Sequence, residues 1–260
     1  MPINNTEGEQ VHRKSVLFIV IDTSREIDLQ YIINNINSQK NIIQKIAIIT
    51  EEKINLELSN ENSNNTFTYL SKKEDLNSLI NSVLIESSEE YVSFWFRGQW
   101  SHTNRIIYQI ESMEKTHKAI SVLNYTLMHE KNLKMTAVSP RFLNFTSSLW
   151  KKNYLLELGC VGISLATGKT LDVSPSILKR ISPVTLPYLL IIFDEDQNHS
   201  RDSRYQYIWD SFIPVTDNLL NLINGIERVD VCTYSISKNL EAPKAIKNIE
   251  YALTRGENLL

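Results

Sequence analysis

Three short apolar runs constrain this chain more than anything else in it: Val16 to Ile21, Ile46 to Ile49 and Tyr91 to Phe96. Each is rich in β-branched or aromatic residues. The first two lack any polar alternation, and the third has only Ser93 inside it. Runs of this length and composition fit strands buried on both faces. Between them the apolar residues recur at helical spacing. From Glu26 to Ser38 these are Ile27, Leu29, Tyr31, Ile32, Ile33 and Ile36; from Asp75 to Ser87 they are Leu76, Leu79, Ile80, Val83 and Leu84. Thr66 to Leu70 fits a further short strand, the Asn/Ser-rich Asn55 to Asn65 fits a loop, and another helix is predicted from near Thr103. Strands alternating with helices over residues 15–115 predict right-handed βαβ units and a mainly parallel sheet. The expected fold class is therefore α/β, with helices on both faces of the sheet.

The second half is less regular. Strands are predicted over Ile120 to Leu127, Phe142 to Trp150 and Leu189 to Phe193. A short helix from Lys152 to Leu158 would end at Gly159, a residue suited to a helix C-terminus. A second runs from Ser174 or Pro175 to Ile181, with proline in its first turn. Tyr205 to Ile226 and Leu240 to Leu253 have helical spacing, and Gly225 can close the first of these. No linker rich in Gly, Pro or Ser divides the chain. The expected organisation is a mobile leader over residues 1–14 and one domain over 15–260, ending in a helical C-terminal region from 201.

Composition excludes some classes. With 22% charged residues and a net charge of −3, the 260-residue chain has no basic field for nucleic acid. No stretch approaches the ~20 apolar residues that cross a bilayer, so no transmembrane segment is expected. The polar start, Met1 to Lys14, lacks the apolar core of a signal peptide. Two distant cysteines, Cys160 and Cys232, point to a reducing compartment, and a cytoplasmic location follows as the expectation.

The junction after the third strand carries the chemistry. It reads Glu90-Tyr-Val-Ser-Phe94-Trp-Phe-Arg-Gly-Gln-Trp100-Ser-His-Thr-Asn-Arg105-Ile-Ile-Tyr-Gln109. This resembles the family-2 glycosyltransferases, in which a strand ending in Asp-x-Asp-Asp-Trp-x-His-Pro runs into a helix with Arg-Leu-x-x-Gln. Phe94, Trp100, His102, Arg105 and Gln109 match. Five further pieces agree in order: Val16 to Ile21 with Asp22-Thr23-Ser24, Ser38-Gln39, Ile46 to Glu52, Asn81, and Thr146 to Gly159. The likeness covers roughly residues 15–200. It implies a GT-A-like, Rossmann-like three-layer sandwich, with a nucleotide-binding half (15–115) followed by an acceptor half (116–200). It also implies nucleotide-sugar contacts from Asp22, Thr23, Arg25, Thr50, Glu51, Asn81, Arg97, Gln99 and Trp100, which should converge at the C-terminal ends of the strands.

The departures fall on the acids. Phe96-Arg97-Gly98 stands where Asp-x-Asp would hold a divalent cation through hard oxygen ligands. Ser174 and Ser176 stand where the family places an acidic pair before Arg180-Ile181, one member of which would deprotonate the acceptor. No divalent metal and no assigned catalytic residue are therefore expected. Arg97 offers a guanidinium that can fork onto phosphate oxygens in the cation's place; the plainer alternative is a solvated turn residue, or one paired with Glu51 or Glu52.

Other constellations carry less. Asp194-Glu195-Asp196 follows a strand but comes too late in the chain for the family's metal site, and fits an acidic loop. Gly168-Lys169-Thr170 ends like a P-loop, yet Gly162 leaves five residues between the glycines rather than four. The five histidines lack metal-ligand spacing, and His102 fits a capping or packing role in its turn. Trp95 and Trp150 fit the core, whereas Trp100 is the ring candidate for the pocket. Three functions are compatible with these residues. The first is a transferase homologue that has lost metal-dependent catalysis and binds a nucleotide sugar weakly, or supports an active transferase or itself in polysaccharide or glycoconjugate assembly. The second is an active metal-independent transferase with Asp172, Glu157 or Asp194 as base. The third is an interaction module whose pocket is filled by Phe96 and Trp100.

Overall fold

In the computed structural model, residues 13–21, 26–50, 65–69, 76–96, 98–130, 135–140, 145–158, 175–184 and 189–194 are described. The apolar runs form β1 (Lys14–Ile21), β2 (Ile42–Thr50) and β4 (Tyr91–Trp95), and Asn65–Tyr69 forms β3. The helical patterns form α1 (Glu26–Asn37), α2 (Leu76–Glu86) and α3 (Arg105–Thr116). Later come β5 (Gln99–Ser101), β6 (Ile120–Leu123), β7 (Tyr125–Glu130), β8 (Met135–Pro140), β9 (Ser148–Lys151), α4 (Lys152–Glu157), α5 (Pro175–Leu178), β10 (Ile181–Val184) and β11 (Leu190–Asp194).

Among the described residues, seven strands make the central sheet in the order β10-β6-β9-β4-β1-β2-β3. Four of its six pairings are parallel, and both antiparallel ones involve β9. The mainly parallel α/β architecture expected from the sequence is thus present. Strand residues alternate between two apolar layers. Leu17, Ile19, Ile49, Val92 and Phe94 pack with Ile80 and Leu84 of α2 and Leu155 of α4. Val16, Phe18, Val20, Ile46, Ile48 and Trp95 pack with Leu29, Ile32 and Ile36 of α1 and Ile106, Ile110 and Met113 of α3. Apolar layers on both faces are why β1 reads as an unbroken hydrophobic run.

Several boundaries differ from the sequence expectation. Lys14, expected in the leader, is the first residue of β1 and pairs with Ile42. Ile120 to Leu127 is not one strand. Asn124 donates its backbone N–H to the Val184 carbonyl at 2.9 Å, the chain turns there, and β6 and β7 belong to different sheets. An apolar pattern records burial but not a change of partner, so the break was invisible. The strand predicted over Phe142 to Trp150 begins only at Ser148, whose Oγ donates to the Phe145 carbonyl at 3.1 Å and closes a turn. The helix predicted to Ile181 stops at Leu178, because Ile181 pairs with Ile120 in β10. The Leu189 to Phe193 strand is displaced by one residue as β11.

A four-stranded second sheet, β5-β11-β7-β8, was not expected at all. β5 has three residues, too few to show a period. α1 holds it in place: Asn35 donates from Nδ2 to the Ser101 carbonyl at 2.9 Å and accepts the Ser101 N–H on Oδ1 at 2.8 Å. This one amide completes β5 as a neighbouring strand would. Asn35→Asp keeps the shape but faces one carboxylate oxygen toward the carbonyl. It should cost about 2 kcal/mol, read as a fall of roughly 4–8 °C in melting temperature. Among the described residues no helix is long and apolar enough to cross a membrane.

Candidate functional site

The topology marks one edge of the central sheet. From β1 the chain moves outward through β2 and β3, then crosses back to β4 on the other side of β1. Open α/β sheets bind ligands outside the carboxyl ends of the strands at such a reversal. The register is in step there: Ile21 pairs with Ile49, and Val20 with Trp95. Ile21, Thr50 and Trp95 therefore end their strands at one edge.

Of the nominated residues, Asp22, Thr23, Arg25, Glu51 and Arg97 lie outside the described residues, as does Asp172. Thr50 ends β2, buried, opposite Tyr69. Asn81 lies midway along α2, half-buried, directly after the core residue Ile80. Gln99 and Trp100 belong to β5 and are 2% and 1% exposed. Gly98, at φ 71°, turns the chain from β4 into β5; the left-handed region is open to glycine without a Cβ clash. Phe96 is half-buried and packs on the α2 layer. Trp100 meets His102 edge-on with centroids 6.2 Å apart. Trp95 and Trp150 are core residues, as their sequence context indicated.

Beneath this turn lies a polar seam. Arg105, the first residue of α3, is fully buried. Its Nε donates to Gln109 Oε1 at 3.1 Å, its Nη1 to Ser101 Oγ at 2.8 Å, and its Nη2 to the Thr146 carbonyl. The guanidinium also sits 5.6 Å from the Trp95 ring centroid. Gln109 in turn donates to the Ser147 carbonyl at 3.0 Å. One side chain therefore ties α3 to β5 and to the segment before β9. Burial lowers the Arg105 pKa to about 9, so the group remains charged at neutral pH. Among the described residues it has no carboxylate partner.

The entry into α3 is fixed by neighbouring groups. His102 accepts the Asn104 N–H on Nδ1 at 3.1 Å, which satisfies a donor ahead of the helix. Burial, with the Lys40 charge as a smaller cause, lowers its pKa to about 4. Gln39 donates to the His102 carbonyl at 3.0 Å from the end of α1. Of these residues the sequence pattern flagged Gln39, His102, Arg105 and Gln109 but assigned none to this seam, and Asn35 was missed. Its one signal was a polar residue on the apolar side of α1, between Ile33 and Ile36.

The described residues hold no cluster of three or more His, Cys, Asp or Glu side chains suited to a metal. Asp194 ends β11, while Glu195, Asp196 and Gly168-Lys169-Thr170 lie outside the described residues. Glu157 of α4 and Ser176 of α5 are exposed. Glu89 is a buried carboxylate, 3.8 Å from Lys45. It precedes β4, at the sheet edge opposite the strand-end site.

No family model and no curated protein matches the chain. Solved structures do. S. aureus TarS 1–349 in complex with UDP-GlcNAc is 12% identical, with a TM-score of 0.52 over 82% of this chain and 66% of that one. TarS 1–349 in complex with UDP is 12% identical, with a TM-score of 0.50 over 69% of this chain. A further S. aureus TarS structure is 12% identical, with a TM-score of 0.50 over 87% of this chain. This chain spans 60% and 46% of the latter two chains. At this identity the likeness concerns the fold, and that fold is the α/β sandwich of the GT-A glycosyltransferases.

Proposed function

We propose that this chain binds the nucleotide diphosphate of a sugar donor at the carboxyl ends of β1, β2 and β4, without a divalent metal. In this reading it acts as a degenerate family-2-like glycosyltransferase. It is either a weak nucleotide-sugar binder or a supporting partner of an active transferase, or of a second copy of itself, in polysaccharide or glycoconjugate assembly. The reading places it in the cytoplasm, a compartment in keeping with its two widely separated cysteines.

The observation that supports the reading is the strand reversal beside β1, where Ile21, Thr50 and Trp95 end β1, β2 and β4 at one edge. That edge is where an open sheet takes a ligand. TarS, of like fold, has been seen with UDP and UDP-GlcNAc. Metal independence follows from Phe96-Arg97-Gly98, which supplies no carboxylate, while Arg97 can meet phosphate oxygens directly.

Calorimetric titration with UDP and GDP, each with and without manganese, tests this. The expected result is micromolar binding, about −8 kcal/mol, unchanged by manganese and weakened at least about tenfold in Arg97→Ala. Binding that requires manganese would overturn the metal-free site. Absence of binding in every condition would favour a protein-interaction module. The burial of Trp100 and the packing of Phe96 on the α2 layer are the observations on that side.

A further inference from the structure

The cations of this chain are unevenly placed. Residues 115–123, 148–156 and 175–184 hold Lys115, Lys118, Lys151, Lys152, Lys179 and Arg180 and no Asp or Glu, in a chain whose net charge is −3. The backbone gathers these segments at one corner. The Ala119 and Ile120 N–H groups both donate to the Arg180 carbonyl, at 3.2 and 3.1 Å, and the Lys151 N–H donates to the Ala119 carbonyl at 2.8 Å. Three neighbouring strands, β10, β6 and β9, thus bring their charged ends within about 10 Å of backbone. The corner lies on the amino edge of the central sheet, opposite the strand-end site, because β10 and β6 begin there and antiparallel β9 ends there. Lys118 Nζ donates to the Lys179 carbonyl at 2.7 Å and Lys152 Nζ to the Ser87 carbonyl. None of the six pairs with a carboxylate among the described residues, where the ion pairs are Lys14–Glu114 and Lys45–Glu89. Lys115, Lys179 and Arg180 are exposed, so the corner presents a positive field to its surroundings. Large apolar side chains are exposed on the same edge. Leu178, 53% exposed, ends α5 beside Lys179; Ile85, 71% exposed, lies near the end of α2; and Ile43, 50% exposed, lies near the start of β2.

We propose that the amino edge of the central sheet is a docking surface for an anionic lipid bilayer. The β10-β6-β9 corner meets the phosphate headgroups, and Leu178 enters the boundary between headgroups and acyl chains. Cations alone would suit any acidic macromolecule. Exposed apolar side chains bordering them favour the bilayer, whose surface offers negative charge and hydrocarbon at adjoining depths. Docked in this way, the protein turns its strand-end site away from the lipid and toward water. The inference does not depend on what that site binds.

The test is sedimentation of the full chain with vesicles of phosphatidylcholine, alone or with about one part in three of phosphatidylglycerol, at low and high salt. The expected result is binding to the anionic vesicles that weakens steeply with salt, and none to the neutral ones. Lys179→Ser with Arg180→Ser should weaken binding about 25-fold, about fivefold for each cation. Leu178→Ser should weaken it about fivefold. Gln30→Glu with Ser78→Asp lowers the net charge by the same amount at exposed positions near the starts of α1 and α2, toward the other edge, and should change binding little. The substituted side chains are exposed, so each variant should melt within about 3 °C of the parent. If the double serine variant melts lower, Lys115→Ser, exposed in the last turn of α3, tests the same corner with an expected fivefold loss of about the same origin. No vesicle binding by the parent, or equal binding to neutral vesicles, would overturn the proposal. So would a double serine variant that binds like the parent, or one weakened no more than the charge-matched control. Poly-glutamate bound more tightly than the vesicles, with Leu178→Ser without effect, would assign the corner to an acidic macromolecule and overturn the bilayer.

Discussion

Arg105→Ala should lower the stability of this protein by about 4 kcal/mol, a fall of roughly 8–16 °C in melting temperature. Two physical terms add. The substitution empties the volume of one of the largest fully buried side chains in the fold. It also leaves acceptors at Gln109 Oε1 and the Thr146 carbonyl without their donor, and each unmade buried hydrogen bond costs about 1–3 kcal/mol. Arg105→Met separates the terms. It keeps most of the volume and removes the desolvation of a buried cation, so it should cost about half as much. Denaturant unfolding of the three proteins makes the comparison. If Arg105→Ala is as stable as the parent, the seam does not hold β5 and the β9 approach to α3.

The second large effect is acid sensitivity. The His102 pKa falls from 6.5 in the unfolded chain to about 4 in the fold, because burial disfavours the imidazolium and the Lys40 charge adds to that; Nδ1 accepts the Asn104 N–H in the fold. Between these values the unfolded chain takes up a proton that the folded one does not. Stability is therefore full above pH 6.5 and declines as pH falls through 6.5 toward 4, by about 3 kcal/mol across the window. Carboxylates titrate in the lower part of the same range, so the informative quantity is a difference between proteins. His102→Asn puts Oδ1 close to the Nδ1 position and has no proton to gain. Its stability should decline less than the parent's between pH 6.5 and 4. Parallel curves would show that His102 protonates freely in the folded state.

These two residues also show how unevenly the sequence reported on the structure. The parallel core was legible because β1, β2 and β4 are buried on both faces, and double burial leaves an unbroken apolar run. The adjacency of β1, β2 and β4 was legible because ordered motif pieces specify strand order. His102, Arg105 and Gln109 were visible as letters of a pattern, but not as a network, since Arg105 meets Thr146 across 41 positions. Gln99 and Trp100 were read as pocket residues, and the structure places them as buried members of β5. That strand depends on Ser101 pairing with Leu190 and on an amide from α1. None of these partners lies near it in sequence.

By itself, then, the sequence determined the segments that form β1 to β4 and α1 to α3, and that no carboxylate stands at positions 96–98. Both properties belong to local chemistry: side-chain period, burial pattern and residue identity. Only the tertiary structure decided that Ile120 to Leu127 divides between two sheets, that β5 joins a second sheet, and that Arg105 lies buried with no acid partner among the described residues. These are outcomes of pairing between distant segments, where a neutral amide or a carbonyl from elsewhere in the chain fixes position and charge balance. A one-dimensional pattern carries no record of which partner will arrive.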